Sequence, residues 1–161
     1  KRKSLWSFKK LKFKLKIMFF TKKEDKSANN NLSKIAALLI HAAKIDENFS
    51  LEEEIIIKKA LEKLGNNNQN IEDIIKEGKL IEENSNQILD FTRVAKNMDE
   101  KDKIKIIETL WQIIYSNNEA DMYETNLMRR LGNLMYIDNK LMGDIKENIR
   151  KKKITNDIYR K

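Results

Sequence analysis

The 161-residue sequence has no cysteine and no proline, and it has only four glycines and one histidine. Each absence removes a class of protein. Without cysteine there is no disulfide framework, no thiol nucleophile and no cysteine-ligated metal or iron–sulfur site, and a reducing compartment is compatible. A lone histidine, His41, excludes paired-histidine metal sites and tells against Ser–His–Asp chemistry. The missing proline and rare glycine disfavour a sandwich or barrel, whose many tight turns use both. The abundant Ile, Leu, Lys and Glu favour helix. No apolar run is long enough to span a bilayer, and no glycine-rich loop is available to cradle phosphates. Nucleophile, base and cofactor motifs are all lacking, so neither an enzyme nor a small-molecule substrate is expected.

What is present is charge, unevenly placed. The net charge is +8. Residues 1–26 hold eleven Lys or Arg against Glu24 and Asp25, a net +9, which leaves 22 basic and 23 acidic side chains for the rest. The basicity is therefore an N-terminal property and the body is close to neutral.

Hydrophobic periodicity predicts an all-α fold: about seven helices in a compact bundle, preceded by a basic amphipathic helix over 1–20 and a polar linker over 21–31. In the N-terminal helix Leu5, Phe8, Leu11, Leu15, Met18 and Phe19 share a face, with lysines largely opposite. The domain itself is expected over 32–153, with a tail at 154–161. Its helices are expected over 32–45, 51–64, about 71–82, Asn84 or Ser85 to about Asn97, Asp99 to about Tyr115, 122–136, and from Asp138 to about Lys153. Ile88, Leu89, Phe91 and Val94 should face inward in the fourth. Ile104, Ile107, Leu110, Trp111 and Ile114 should form the core stripe of the fifth. Ser50, Asn70 and Asp121 should cap helix starts, and Gly65 should end the second helix.

Two inter-helix segments look alike, Ala43–Glu53 and Ile114–Glu124. Each ends a helix, crosses a short polar turn around one buried apolar residue, and starts a new helix. Ser50-x-x-Glu53 and Asp121-x-x-Glu124 have capping-box spacing, in which the cap oxygen takes a free N–H and the glutamate reaches back. With Asp as the cap, half of the pattern is expected.

This doubled pattern resembles the TerB-like family, which is related to the N-terminal helical domain of DjlA-type co-chaperones. The resemblance covers about residues 32–150. In WQIIYSNNEADMYETNLMRRLGNLMYI (111–137), Trp111, Glu119, Asp121, Tyr123, Glu124, Arg129, Arg130 and Leu134 sit where the family pattern places such residues. Departures are Glu47 and Asn118 for glycine, Asn117 for the second Asp, and Leu51 and Met122 for proline. The resemblance implies a non-enzymatic helical bundle, an association with tellurite and other chemical stress, and sometimes membrane-linked complexes. It also implies acidic-site metal binding.

A divalent cation, Ca²⁺ or Mg²⁺, would use Asp46, Asn48, Ser50 and Glu53 together with Asn117, Glu119, Asp121 and Glu124, hard oxygen donors at alternate positions. As an EF-hand from Asp46 the segment fails, because Leu51 stands at the glycine position and Ile57 at the bidentate glutamate. The alternative is that these side chains cap helices. The pair Glu52 and Glu53 reads as exposed helix surface, Arg150–Lys153 as a solvated helix C-terminus favoured by the dipole, His41 as structural, and Trp111 with Tyr115 as core. Arg129 and Arg130 are expected to pair with acids or to contact a partner.

Three readings of the N-terminal helix stay open. Trp6, Phe8, Lys9, Lys10, Lys12, Phe13, Lys14, Lys16, Phe19 and Phe20 suit an anionic membrane surface, aromatics in the interface and lysines on headgroups. The same residues suit a protein partner, docking on the bundle, or a targeting segment. Nucleic acid is disfavoured by the near-neutral body. The expected placement is cytoplasmic, peripheral on the inner membrane face.

Overall fold

The structure is a computed structural model that describes residues 28–45, 49–65, 70–85, 88–117 and 120–159. The chain divides into two units, Lys1–Asn31 and Leu32–Lys161, and the second is the one described below. The basic helix expected over 1–20, with all ten of its candidate contact residues, lies outside the described residues.

Seven α-helices and no strand are present among the described residues: α1 (28–43), α2 (Leu51–Leu64), α3 (Ile71–Glu83), α4 (Leu89–Lys96), α5 (Glu100–Ile114), α6 (Met122–Leu134) and α7 (Asn139–Tyr159). A 3₁₀ turn, Tyr115–Asn117, follows α5. The all-α expectation holds. Residues 28–30, assigned to the linker by sequence, are already helical.

Helix α1 is buried nearly all round, with Ile35, Leu38, Leu39 and Ile40 sealed from solvent. A helix apolar on every side belongs in the middle of a bundle. Helix α5 is the second central element, packing on α2 and α7, while α4 packs on α6. Its buried stripe is Ile106, Ile107, Leu110, Trp111, Ile113 and Ile114. Each fully buried Ile or Leu contributes about 1.5–3 kcal/mol relative to exposure. Ile104, expected in that stripe, is only half-buried at the margin of the core.

Two further expectations are corrected. Helix α4 begins at Leu89, with Ile88 as its N-cap. That start sets the buried stripe as Ile88, Phe91 and Ala95, leaving Leu89 exposed and Val94 half-buried. Helix α7 runs through Lys153 to Tyr159, into the expected tail. No proline or glycine stops it, and Ile154 and Ile158 continue a helical spacing on its exposed side.

Helices α1 and α3 approach so closely that only glycine fits at one crossing. A Cβ on Gly78 would lie 2.7 Å from the Ala36 Cβ and 3.2 Å from both the Ala37 nitrogen and the Ser33 carbonyl oxygen. Beside this contact the Ser33 hydroxyl donates to the Glu77 carboxylate at 2.7 Å. At the far end of α1, the Lys44 ammonium and the His41 ring meet the Glu82 carboxylate of α3 at 2.6 and 3.2 Å.

Candidate functional site

The site grows from the two helix starts singled out by sequence. Ser50 is extended (φ −84°, ψ 159°) and its hydroxyl oxygen accepts from the Glu53 N–H at 3.3 Å. The Glu53 carboxylate accepts from the Ser50 N–H at 2.7 Å and from the Ser50 hydroxyl at 2.8 Å. Asp121 repeats the arrangement: its carboxylate accepts from the Glu124 N–H, and Glu124 accepts from the Asp121 N–H, both at 2.8 Å. The half-pattern expected for Asp is thus a complete capping box, because an Asp carboxylate accepts as well as a hydroxyl does and leaves the returning glutamate unaffected. Asn70 and Asp138 also cap, accepting from Glu72 and from Lys140 and Leu141 respectively.

The two boxes match in chemistry and differ in setting. At the position after each cap, Leu51 and Met122 are 76% and 77% exposed. The first residue of each helix is largely uncovered, so apolar side chains stand in water there. The glutamates part company. Glu53 is only 1% exposed, whereas Glu124 reaches solvent. Sequence placed Glu53 on an exposed helix face, and that placement is overturned. The back-bond to Ser50 folds the side chain against the 3₁₀ turn, where the Ser116 hydroxyl oxygen lies 3.5 Å from the second carboxylate oxygen. Through this approach the two similar segments meet.

Helix α7 closes the same end. The Lys153 ammonium donates to the carbonyl of Tyr115 and to that of Ser116 at 3.0 Å. Both carbonyls lie where α5 ends, and the cation complements the negative end of the helix dipole. The basic cluster Arg150–Lys153 is therefore not a helix C-terminus. It lies within α7, Arg150 and Lys151 flank Glu147 at 3.7 and 3.6 Å, and Lys153 serves a different helix. A cleft of about 270 Å³ opens beside it, lined by Glu52, Ile56, Gln112, Lys152 and Asp157 among others.

Of the eight metal candidates, Asp46, Asn48 and Glu119 lie outside the described residues, as does the Asn117 side chain. Ser50, Glu53, Asp121 and Glu124 are committed to backbone N–H groups. No cluster of three or more His, Asp or Glu suited to a metal occurs among the described residues. His41, expected to be structural, is half-buried and bonds to the Glu82 carboxylate of α3. Trp111 and Tyr115 are core and stack at 5.7 Å, with the Lys146 ammonium 5.0 Å from the Trp111 ring centre. Among the described residues Arg129 donates weakly to Asn126 on its own helix rather than to an acid.

Sequence reasoning missed Ser116, Lys153 and the Glu82 cluster. Each acts between segments more than thirty residues apart, and no local spacing signals such a pairing.

Fold and site together define an all-helical domain built on a doubled turn-and-cap that meets at one end of the bundle. Over residues 32–147 the sequence matches the family described as tellurite resistance protein TerB, and the chain belongs to that family. No curated protein and no solved structure matches it.

Proposed function

We propose that this protein is a non-enzymatic interaction module acting in a stress response, brought to an anionic membrane surface by the basic aromatic segment at residues 1–20. The observation that carries the reading is the pair of apolar side chains, Leu51 and Met122, that the two capping boxes hold out into solvent, with Tyr123 exposed beside the second. A capped helix start is rigid, so these groups meet a partner with little further loss of conformational entropy. The eight Lys or Arg of residues 1–20, with no acidic residue among them, supply attraction of about 1 kcal/mol per Lys or Arg near an anionic surface. No described helix is long and apolar enough to cross a membrane, which agrees with peripheral rather than spanning attachment.

The test is co-sedimentation of the full chain with phosphatidylglycerol vesicles, against phosphatidylcholine vesicles. Binding to the anionic vesicles should fall steeply with salt and be lost when Lys9, Lys10 and Lys12 are all changed to Glu. Equal binding by the parent and the triple variant would end the membrane reading, and the segment would then be a protein-docking element.

A further inference from the structure

We propose that the groove between α4 and the end of α6 binds an acidic peptide segment bearing an apolar side chain. The proposal rests on the interaction-module reading but not on the N-terminal segment. Its starting point is Tyr136. Helix α6 ends in a Schellman arrangement, with the Ile137 N–H bonding to the Gly132 carbonyl at 2.9 Å and the Tyr136 N–H to the Asn133 carbonyl at 3.2 Å. The residue that must turn left-handed there is usually glycine. Here it is Tyr136, at φ 56°, the one non-glycine residue with positive φ among those described. A bulky side chain in that region costs about 1–2 kcal/mol, and such strain gathers where side chains meet ligands. The ring gains little burial in return, since Tyr136 is 73% exposed.

The surroundings say what the ring is for. It forms one wall of a groove of about 260 Å³, whose other walls include Leu89, Arg93, Lys96, Asn133 and Leu134. The Lys96 ammonium stands 4.4 Å from the ring centre, so the cation and the aromatic face are held as one unit. Arg93 is exposed and has no ion-pair partner among the described residues. Lys96 has no carboxylate partner among them either. Two unneutralised cations, no acidic side chain in the lining, an exposed Leu89 and an aromatic ring match carboxylates interleaved with an aliphatic group. Tyr and Arg are also the residue types that dominate binding energy at interfaces. Nucleic acid fits less well, because phosphate tracks need an extended basic stripe and make no use of leucine walls.

The test uses the full chain and a dye-labelled peptide of alternating Glu and Leu, read by fluorescence anisotropy. Saturable binding is expected, at least about tenfold weaker for a Gln–Leu peptide and for the double variant Arg93→Gln/Lys96→Gln, since charge-assisted bonds are lost. Tyr136→Gly should weaken binding while leaving the melting temperature level or raised, because the Cβ that strains the left-handed backbone is removed with the ring. Tyr136→Phe should restore binding. Should Tyr136→Gly unfold, the double variant decides. No saturable binding, equal binding of the Gln–Leu peptide, or indifference to the double variant overturns the proposal. So does a single-stranded oligonucleotide that competes more tightly than the peptide. Lost peptide binding with intact vesicle binding removes this proposal alone, and the converse removes only the membrane reading.

Discussion

Lys153 of α7 and Ser116 of the 3₁₀ turn are joined by an ammonium-to-carbonyl hydrogen bond of 3.0 Å. The same ammonium reaches the Tyr115 carbonyl. One side chain thus terminates α5 and fastens α7 to the end of the bundle where the two turn-and-cap segments meet. Lys153→Met keeps the aliphatic stem and removes the donor. It should destabilise the domain by about 1–2 kcal/mol, measured as a lower midpoint in urea, whereas Lys151→Met, whose partner Glu147 is exposed, should change it by less than about 0.5 kcal/mol.

The two capping boxes should respond unequally to the same change. Glu53→Ala removes a buried carboxylate and leaves the half-buried Ser50 hydroxyl and N–H without it, and should cost about 2–3 kcal/mol. Glu124→Ala leaves the Asp121 N–H to water and should cost about 0.5–1 kcal/mol. Thermal melts of the two variants provide the comparison, and equal losses would contradict the burial difference.

Acid should loosen the contact between α1 and α3. Burial raises the affinity of Glu82 for a proton, but hydrogen bonds and charge from Lys44 and His41 outweigh it and hold its carboxyl below the ordinary value of 4.5. A depressed carboxylate contributes stability that is fully present above its unfolded pKa and lost as pH falls through the folded one. The parent should therefore lose part of its stability as pH drops below 4.5. Glu82→Gln should be less stable at neutral pH and show a shallower acid limb in stability measured against pH.

Two glycine-to-alanine changes should act in opposite directions. At Gly78 the new methyl meets α1 at 2.7 Å, with backbone atoms at 3.2 Å, so the helices must part and a loss of about 1–3 kcal/mol is expected. At Gly143, in the exposed face of α7, a Cβ meets nothing within 4 Å. There alanine should stabilise by about 1 kcal/mol through helix propensity. Differential scanning calorimetry of both variants checks the pair.

The sequence by itself determined much of this protein. Helices announce themselves through local rules, so the apolar stripe of α5 and the caps at Ser50, Asn70 and Asp121 were legible from spacing alone. Capping boxes close within four residues, and no distant partner is needed to see them. The likeness of the two turn segments was legible for the same reason. What only the tertiary structure decided was which side of each segment faces the core. Glu53 and Glu124 occupy the same place in the same motif, and nothing local distinguishes them. Glu53 is buried because Ser116, sixty-three residues away, folds over it. Lys153 looked like one more lysine in a basic run until α7, unbroken past that run, carried it to the end of α5. Tyr136 stood at the end of the helix expected over 122–136, and its left-handed backbone and its place beside Lys96 emerged only from the structure. Local hydrogen bonds write helices and caps into the chain, but burial is a property of contacts between segments, and those contacts decide which of two equivalent residues is sealed and which is presented.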